Sequence, residues 1–98
     1  MSIPRIFVFV IDDMNEAKFA RHRLRARQVT RVLGNRHVVV PNRKGRRGLY
    51  LVVGRDNGGE FISIPIEPTN DVSVWRPVTA YPSKRHEKSV WQGKGGHK

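Results

Sequence analysis

The chain has 98 residues, with 19 Lys plus Arg against 8 Asp plus Glu, a formal charge of +11 and no cysteine. That size leaves room for one core, and the absence of thiols excludes a disulfide framework and a thiolate zinc site. The apolar run "IFVFVI" is too short to span a bilayer. The expectation is a soluble cytoplasmic protein with a single domain over residues 1–91 and a disordered tail over 92–98, where "QGKGGHK" has too little apolar content to order itself.

Residues Ile3 to Ile11 are rich in Val, Ile and Phe on both parities, which predicts a buried strand at the centre of a sheet. "DDMNE" follows, with Asp13 as a helix cap and Glu16 reaching back from the first turn. The spacing predicts a helix from about Met14 with Ala17, Ala20 and Leu24 on one face. After a break near Arg23, Val29, Val32 and Leu33 define a second helix ended by Gly34 and Asn35.

"HVVVP" reads as a short strand, "NRKGRRG" as an exposed basic turn and "LYLVVG" as the next strand. In "RDNGGE", Asn57-Gly58 supplies the positive φ angles of a hairpin leading into "FISIPI". A further strand is expected over about Val72 to Tyr81, then a short helix within "PSKRHEKSVW" started by Pro82 and Ser83. The sum is an α+β domain: two N-terminal helices on one face of an antiparallel sheet of about five strands, and a short C-terminal helix.

Charge is distributed unevenly. Between Lys18 and Arg47 there are 11 basic side chains and no acid, so the whole net charge sits in one third of the chain. A polyanion relieves such self-repulsion, and nucleic acid is the expected one. A membrane partner is not expected, because the basic stretch lacks the large apolar face of an interfacial helix. Arg25, Arg27, Arg43, Lys44, Arg46 and Arg47 are the candidate phosphate-binding residues. Alternation along the last strand adds Trp75, placed with Ser73, Thr79 and Tyr81 on an open face where unpaired bases can stack, each worth roughly 1–3 kcal/mol; the alternative is that Trp75 is a core residue.

No nucleophile motif surrounds the serines, the four histidines lack ligand spacing, and helix capping accounts for Asp12, Asp13 and Glu16 better than a metal does. No metal and no cofactor are expected. RNA carries its own nucleophile, the 2′-hydroxyl, so an enzyme cutting it needs only to align that group, stabilise charge on the phosphate and move two protons. Arg55, Arg76, Tyr81, Lys84 and His22 are the candidate catalytic residues, with His86 a further imidazole able to carry a proton.

The order "IDDMNEAKFARHRLRARQVTRVL", "RRGLYLVVGR" and "WRPVTAYPSKRHEKSVW" resembles the BrnT-like toxins of the RelE/ParE-type toxin superfamily over about residues 8 to 91. The resemblance matches His22 to the family's histidine at the end of the first helix, Arg55 to its basic residue after the Val-Gly strand end, and Glu87 to the acid of the last helix. Arg23 stands where many relatives have Gly, and Tyr81 where they usually have Arg. The family implies a RelE-like fold and the toxin component of a type II toxin-antitoxin system. Such a toxin is a metal-independent endoribonuclease that inhibits translation by cutting mRNA, on or off the ribosome. A cognate antitoxin protein neutralises it, and operator DNA is contacted only through the antitoxin complex. The residues alone equally suit a different class, a non-catalytic basic module that binds RNA or DNA in a regulatory or ribosome-associated role.

Overall fold

A computed structural model describes residues 3–93 of the chain. The element order is β1 (Val8–Phe9), α1 (Asp13–Ala20), α2 (Ala26–Gly34), β2 (His37–Pro41), β3 (Tyr50–Arg55), β4 (Phe61–Pro68), β5 (Val74–Pro77), β6 (Tyr81–Pro82) and α3 (Arg85–Gln92). The fold is α+β, the described residues forming three helices and a mixed six-stranded sheet in the order β1-β5-β4-β3-β2, β6 pairing with β4. The expected tail lies, from residue 94 onward, outside the described residues. Among the described residues no helix is long and apolar enough to cross a membrane.

The hairpin of β3 and β4 is as expected, antiparallel with Val53 opposite Ser63 and Arg55 opposite Phe61. Its turn is made differently. Asp56 Oδ1 accepts from the N–H groups of Gly58 and Glu60 at 2.9 Å each, and the positive φ falls on Gly59, not on Asn57 or Gly58. An Asx-type side-chain bond thus shapes the loop in place of a two-residue Asn-Gly turn.

Three expectations are corrected. The run from Ile3 to Ile11 is not a central strand: β1 is a two-residue edge strand, among the described residues the one parallel member of the sheet, pairing Val8 with Val74 and Phe9 with Trp75. With one neighbour only, it leaves Phe7 65% and Val8 51% exposed. In α1 the buried positions are Asn15 and Phe19, while Ala17 and Ala20 face water; Asp12 is the cap, its carboxylate accepting from Asn15 N–H at 2.8 Å. Asn15 Nδ2 in turn donates to Pro77 O at 2.9 Å, and this buried bond needs the polar side chain inside.

The third correction concerns the strand expected over Val72 to Tyr81, which is split into β5 and β6. Both pair with β4, β5 at Ile66 to Pro68 and β6 at Ile62 and Ser63. Pro65 lies between these stretches, and its missing N–H interrupts the ladder on that edge while its carbonyl accepts from Val78 N–H at 2.8 Å. The interruption resets the alternation. In β5 it is Trp75 and Pro77 that turn inward and Val74 and Arg76 that stay half-exposed.

The core joins Phe19, Val29 and Val32 to Val52, Ile62, Ile64 and Ile66, all fully buried. At Gly54 α2 packs tightly on the sheet: a Cβ there would lie 2.7 Å from Val32 Cγ1. Alternation along β3 sends Leu51 and Val53 to the other side, where they meet Glu87 and Val90 of α3 around a pocket. Between α1 and α2 the chain turns through Arg23 at φ 61°, so the break expected there is present.

Candidate functional site

The pocket has a volume of about 250 Å³ and lies between α3, the β2–β3 face and the loop that joins those strands. Its walls are Val40, Leu51, Val53 and Val90, and at its rim stand Arg43, Arg46, Lys84, His86 and Tyr81. The two arginines are held by a loop built on Asn42. Its Nδ2 donates to the carbonyls of Arg47 and Gly48 at 2.9 and 3.0 Å, and its Oδ1 accepts from Arg43 N–H at 2.9 Å. Gly45 and Gly48, at φ 85° and 95°, supply the left-handed residues this fold of the chain requires.

A buried polar cluster lies against this pocket. Glu87, 5% exposed, sits in the first turn of α3 and reaches inward. Its Oε1 accepts from Lys84 N–H at 2.8 Å and from Ser63 Oγ at 2.8 Å, and its Oε2 accepts from the Tyr81 hydroxyl at 2.7 Å. Ser63 Oγ is 2.8 Å from Ser83 Oγ. Because the Ser63 proton goes to Glu87, Ser83 must be the donor in that second bond. A helix-capping carboxylate has thus been turned into the acceptor for the sheet's buried serine and for the tyrosine of β6.

Electrostatics follow from this wiring. Burial pushes the Glu87 carboxyl up, but the hydrogen bonds from Lys84, Tyr81 and Ser63 and the nearby His86 outweigh it and hold the group below its ordinary value. Tyr81 moves strongly the other way. Burial, its hydrogen bond to Glu87 and that residue's negative charge keep the phenol protonated, against a smaller opposite pull from Arg46. The pair is therefore a fixed anion and a fixed hydrogen-bond donor at neutral pH.

Of the candidate catalytic residues, Tyr81 and Lys84 meet at the rim, with the Lys84 ammonium 6.0 Å from the Tyr81 ring centre. His22 is exposed beside Tyr81, the two ring centres 6.2 Å apart, and does not line the pocket. Arg55 and Arg76 are elsewhere. Arg55 leans over Phe61 and Trp91 at the far end of α3, and Arg76 pairs with Asp12 at 3.2 Å. Among the candidate phosphate binders, Arg43 and Arg46 line the pocket, and Lys44 lies on the same exposed loop. Arg47 is turned to Glu67 at 3.7 Å, Arg25 is an exposed residue at the start of α2, and Arg27 lines a separate groove with Phe7 and Leu33. Trp75 is not on an open face: it is 6% exposed, edge-on to Tyr50 at 5.6 Å, with its indole N–H on Val72 O.

Sequence reasoning passed over Ser63 and Asn42, read Ser83 only as a helix start, and reached Glu87 only through the family resemblance. A signal existed for two of them. Ser63 is a lone hydroxyl between Ile62 and Ile64 in a buried strand, and Glu87 lies three residues after Lys84 at the start of a helix, the spacing of a carboxylate that accepts from the capping N–H. Among the described residues, no group of three His, Cys, Asp or Glu side chains could hold a metal ion. No family model and no curated protein matches the chain.

Proposed function

We propose that this protein is the RNA-cleaving toxin of a type II toxin-antitoxin system, acting in the cytoplasm as a metal-independent endoribonuclease, with a RelE-like arrangement of helices on its sheet. The observation that carries the reading is the pocket beside the Tyr81–Glu87 pair, with apolar walls fit for a nucleobase and Arg43, Arg46, Lys84 and His86 around its mouth. RNA held there would place a phosphate among cations that stabilise the extra charge of 2′-hydroxyl attack. Tyr81 donates to Glu87 and is kept protonated, which suits it to positioning and not to taking a proton. The general base and acid are assigned to the exposed histidines, His86 at the rim and His22 next to Tyr81. A cognate antitoxin with acidic character would cover the same basic surface.

One observation favours a second reading, a non-catalytic RNA- or DNA-binding module. Every proton of the Tyr81, Ser63 and Ser83 hydroxyls already has an acceptor inside the protein, as a purely structural network would have. Tightly controlled induction with mapping of RNA 5′ ends separates the two. The toxin reading expects growth arrest with new cleavage sites, relieved by His86→Ala or Lys84→Ala; normal growth with intact RNA leaves the binding module.

A further inference from the structure

At the far end of α3, Arg36 and Trp91 hold each other by three contacts. The guanidinium lies over the indole at 4.1 Å, Arg36 Nη2 donates to Trp91 O at 2.7 Å, and Trp91 Nε1 donates to Arg36 O at 3.0 Å. Arg55 stands over the same indole at 5.7 Å, and Phe61 meets it edge-on at 5.1 Å. A long cation is thus fixed over a ring, with the arginine itself exposed. Side-chain freedom normally opposes binding by an exposed arginine, and here that freedom is already spent.

We propose that Arg36, Trp91 and Arg55 form a second contact for single-stranded RNA, at which an unpaired base stacks on the outer face of the Arg36 guanidinium and Arg55 takes the adjoining phosphate. The inference rests on the RNA-binding reading of the pocket and extends it to a strand that crosses α3. Lys84, Lys88 and Trp91 follow one another at helical spacings of four and three residues, and Lys88 stands over the Phe61 ring at 5.7 Å. Rings capped by cations therefore run from Tyr81 to Trp91, the alternation that sequence-tolerant single-strand binders use. Arg36, Arg55 and Trp91 line a shallow depression with Asp56, whose carboxylate is engaged by Gln28 Nε2 and its own loop's N–H groups, so it does not neutralise the arginines directly.

The test compares binding of a three-nucleotide and a ten-nucleotide single-stranded RNA to the full chain, wild type, Arg36→Lys and Arg55→Met, with thermal melting as a check that each variant is folded. Only the longer RNA can occupy both places. Wild type is expected to prefer it, and Arg36→Lys, which keeps the charge but loses the stacking plane, to lose about tenfold on the longer RNA and nothing on the shorter. Arg55→Met should lower the salt slope for the longer RNA by about one. Folded variants that bind both RNAs as wild type does overturn this contact alone. A wild type that binds neither RNA overturns the pocket reading and this one together.

Discussion

Glu87 Oε2 receives the Tyr81 hydroxyl proton at 2.7 Å, and the other oxygen of the same carboxylate receives two more hydrogen bonds. Removing a donor to a buried charge costs more than removing one between neutral groups. Tyr81→Phe should therefore lower unfolding free energy by about 1–2 kcal/mol, and Glu87→Ala by about 2–3 kcal/mol because it strands the Ser63 hydroxyl as well. Urea denaturation reads both, and equal losses for the two variants would contradict this division of roles.

The same pair sets a stability window in pH. Folded Glu87 binds its proton less readily than the unfolded chain does, so its contribution is complete above about pH 4.5, its ordinary value, and disappears as pH falls through the lower folded value. Folded Tyr81 holds its proton more tightly than the ordinary value of 10.0, so its contribution is complete below that pH and is lost as pH rises through the higher folded value. Glu87→Gln should flatten the acid limb and Tyr81→Phe the alkaline limb of a plot of stability against pH. An acid limb unchanged in Glu87→Gln would assign it to other carboxylates.

Gly54 tests the packing of α2 on the sheet. A methyl group there meets Val32 Cγ1 at 2.7 Å and His37 Cβ at 2.9 Å, closer than packed atoms tolerate. Gly54→Ala is expected to destabilise by about 1–3 kcal/mol, with part of that recovered when Val32→Ala is added. Additive losses in the double variant would show that the two side chains do not compete for the same space.

Arg23 holds a left-handed backbone that glycine adopts freely. Arg23→Gly should raise stability by about 0.5–1 kcal/mol, the relieved strain being partly offset by the greater freedom of unfolded glycine. A shift in the thermal midpoint measures it, and a lower midpoint would mean that the arginine side chain contributes more than its backbone costs.

Arg46 and Arg47 are neighbours with different surroundings, one at the pocket rim and one facing Glu67. Arg46→Glu should weaken RNA binding regardless of sequence and lower the salt slope by about one, while Arg47→Glu should change the slope less. Reversed ranking would move the RNA path off the pocket.

Much of the element order was legible because it is local. The capping acids near Asp12, the apolar spacing of Val29 and Val32 and the alternation of "LYLVVG" and "FISIPI" each depend on residues close in the chain. What escaped depends on neighbours far away in sequence. Nothing within "RIFVFVI" tells that β1 has a partner on one side only, and the parity of Trp75 cannot be read without knowing that Pro65 interrupts the adjacent ladder. The site divides the same way. Tyr81 and Lys84 are close in sequence and were named together, whereas Arg76, by its chemistry, and Arg55, by its chemistry and the family resemblance, were grouped with them and have their contacts elsewhere.

The parallel pairing of Val8 with Val74 also bears on how the molecule is made. During synthesis the first strand leaves the ribosome long before its partner exists, and its exposed Phe7 and Val8 have nothing to join until the fifth strand emerges. Tyr81 and Glu87 follow that strand directly. The sheet gains its edge strand and the pocket its Tyr81 and Glu87 in the same interval, so a growing chain of this protein has no site until β5, β6 and α3 have all been made.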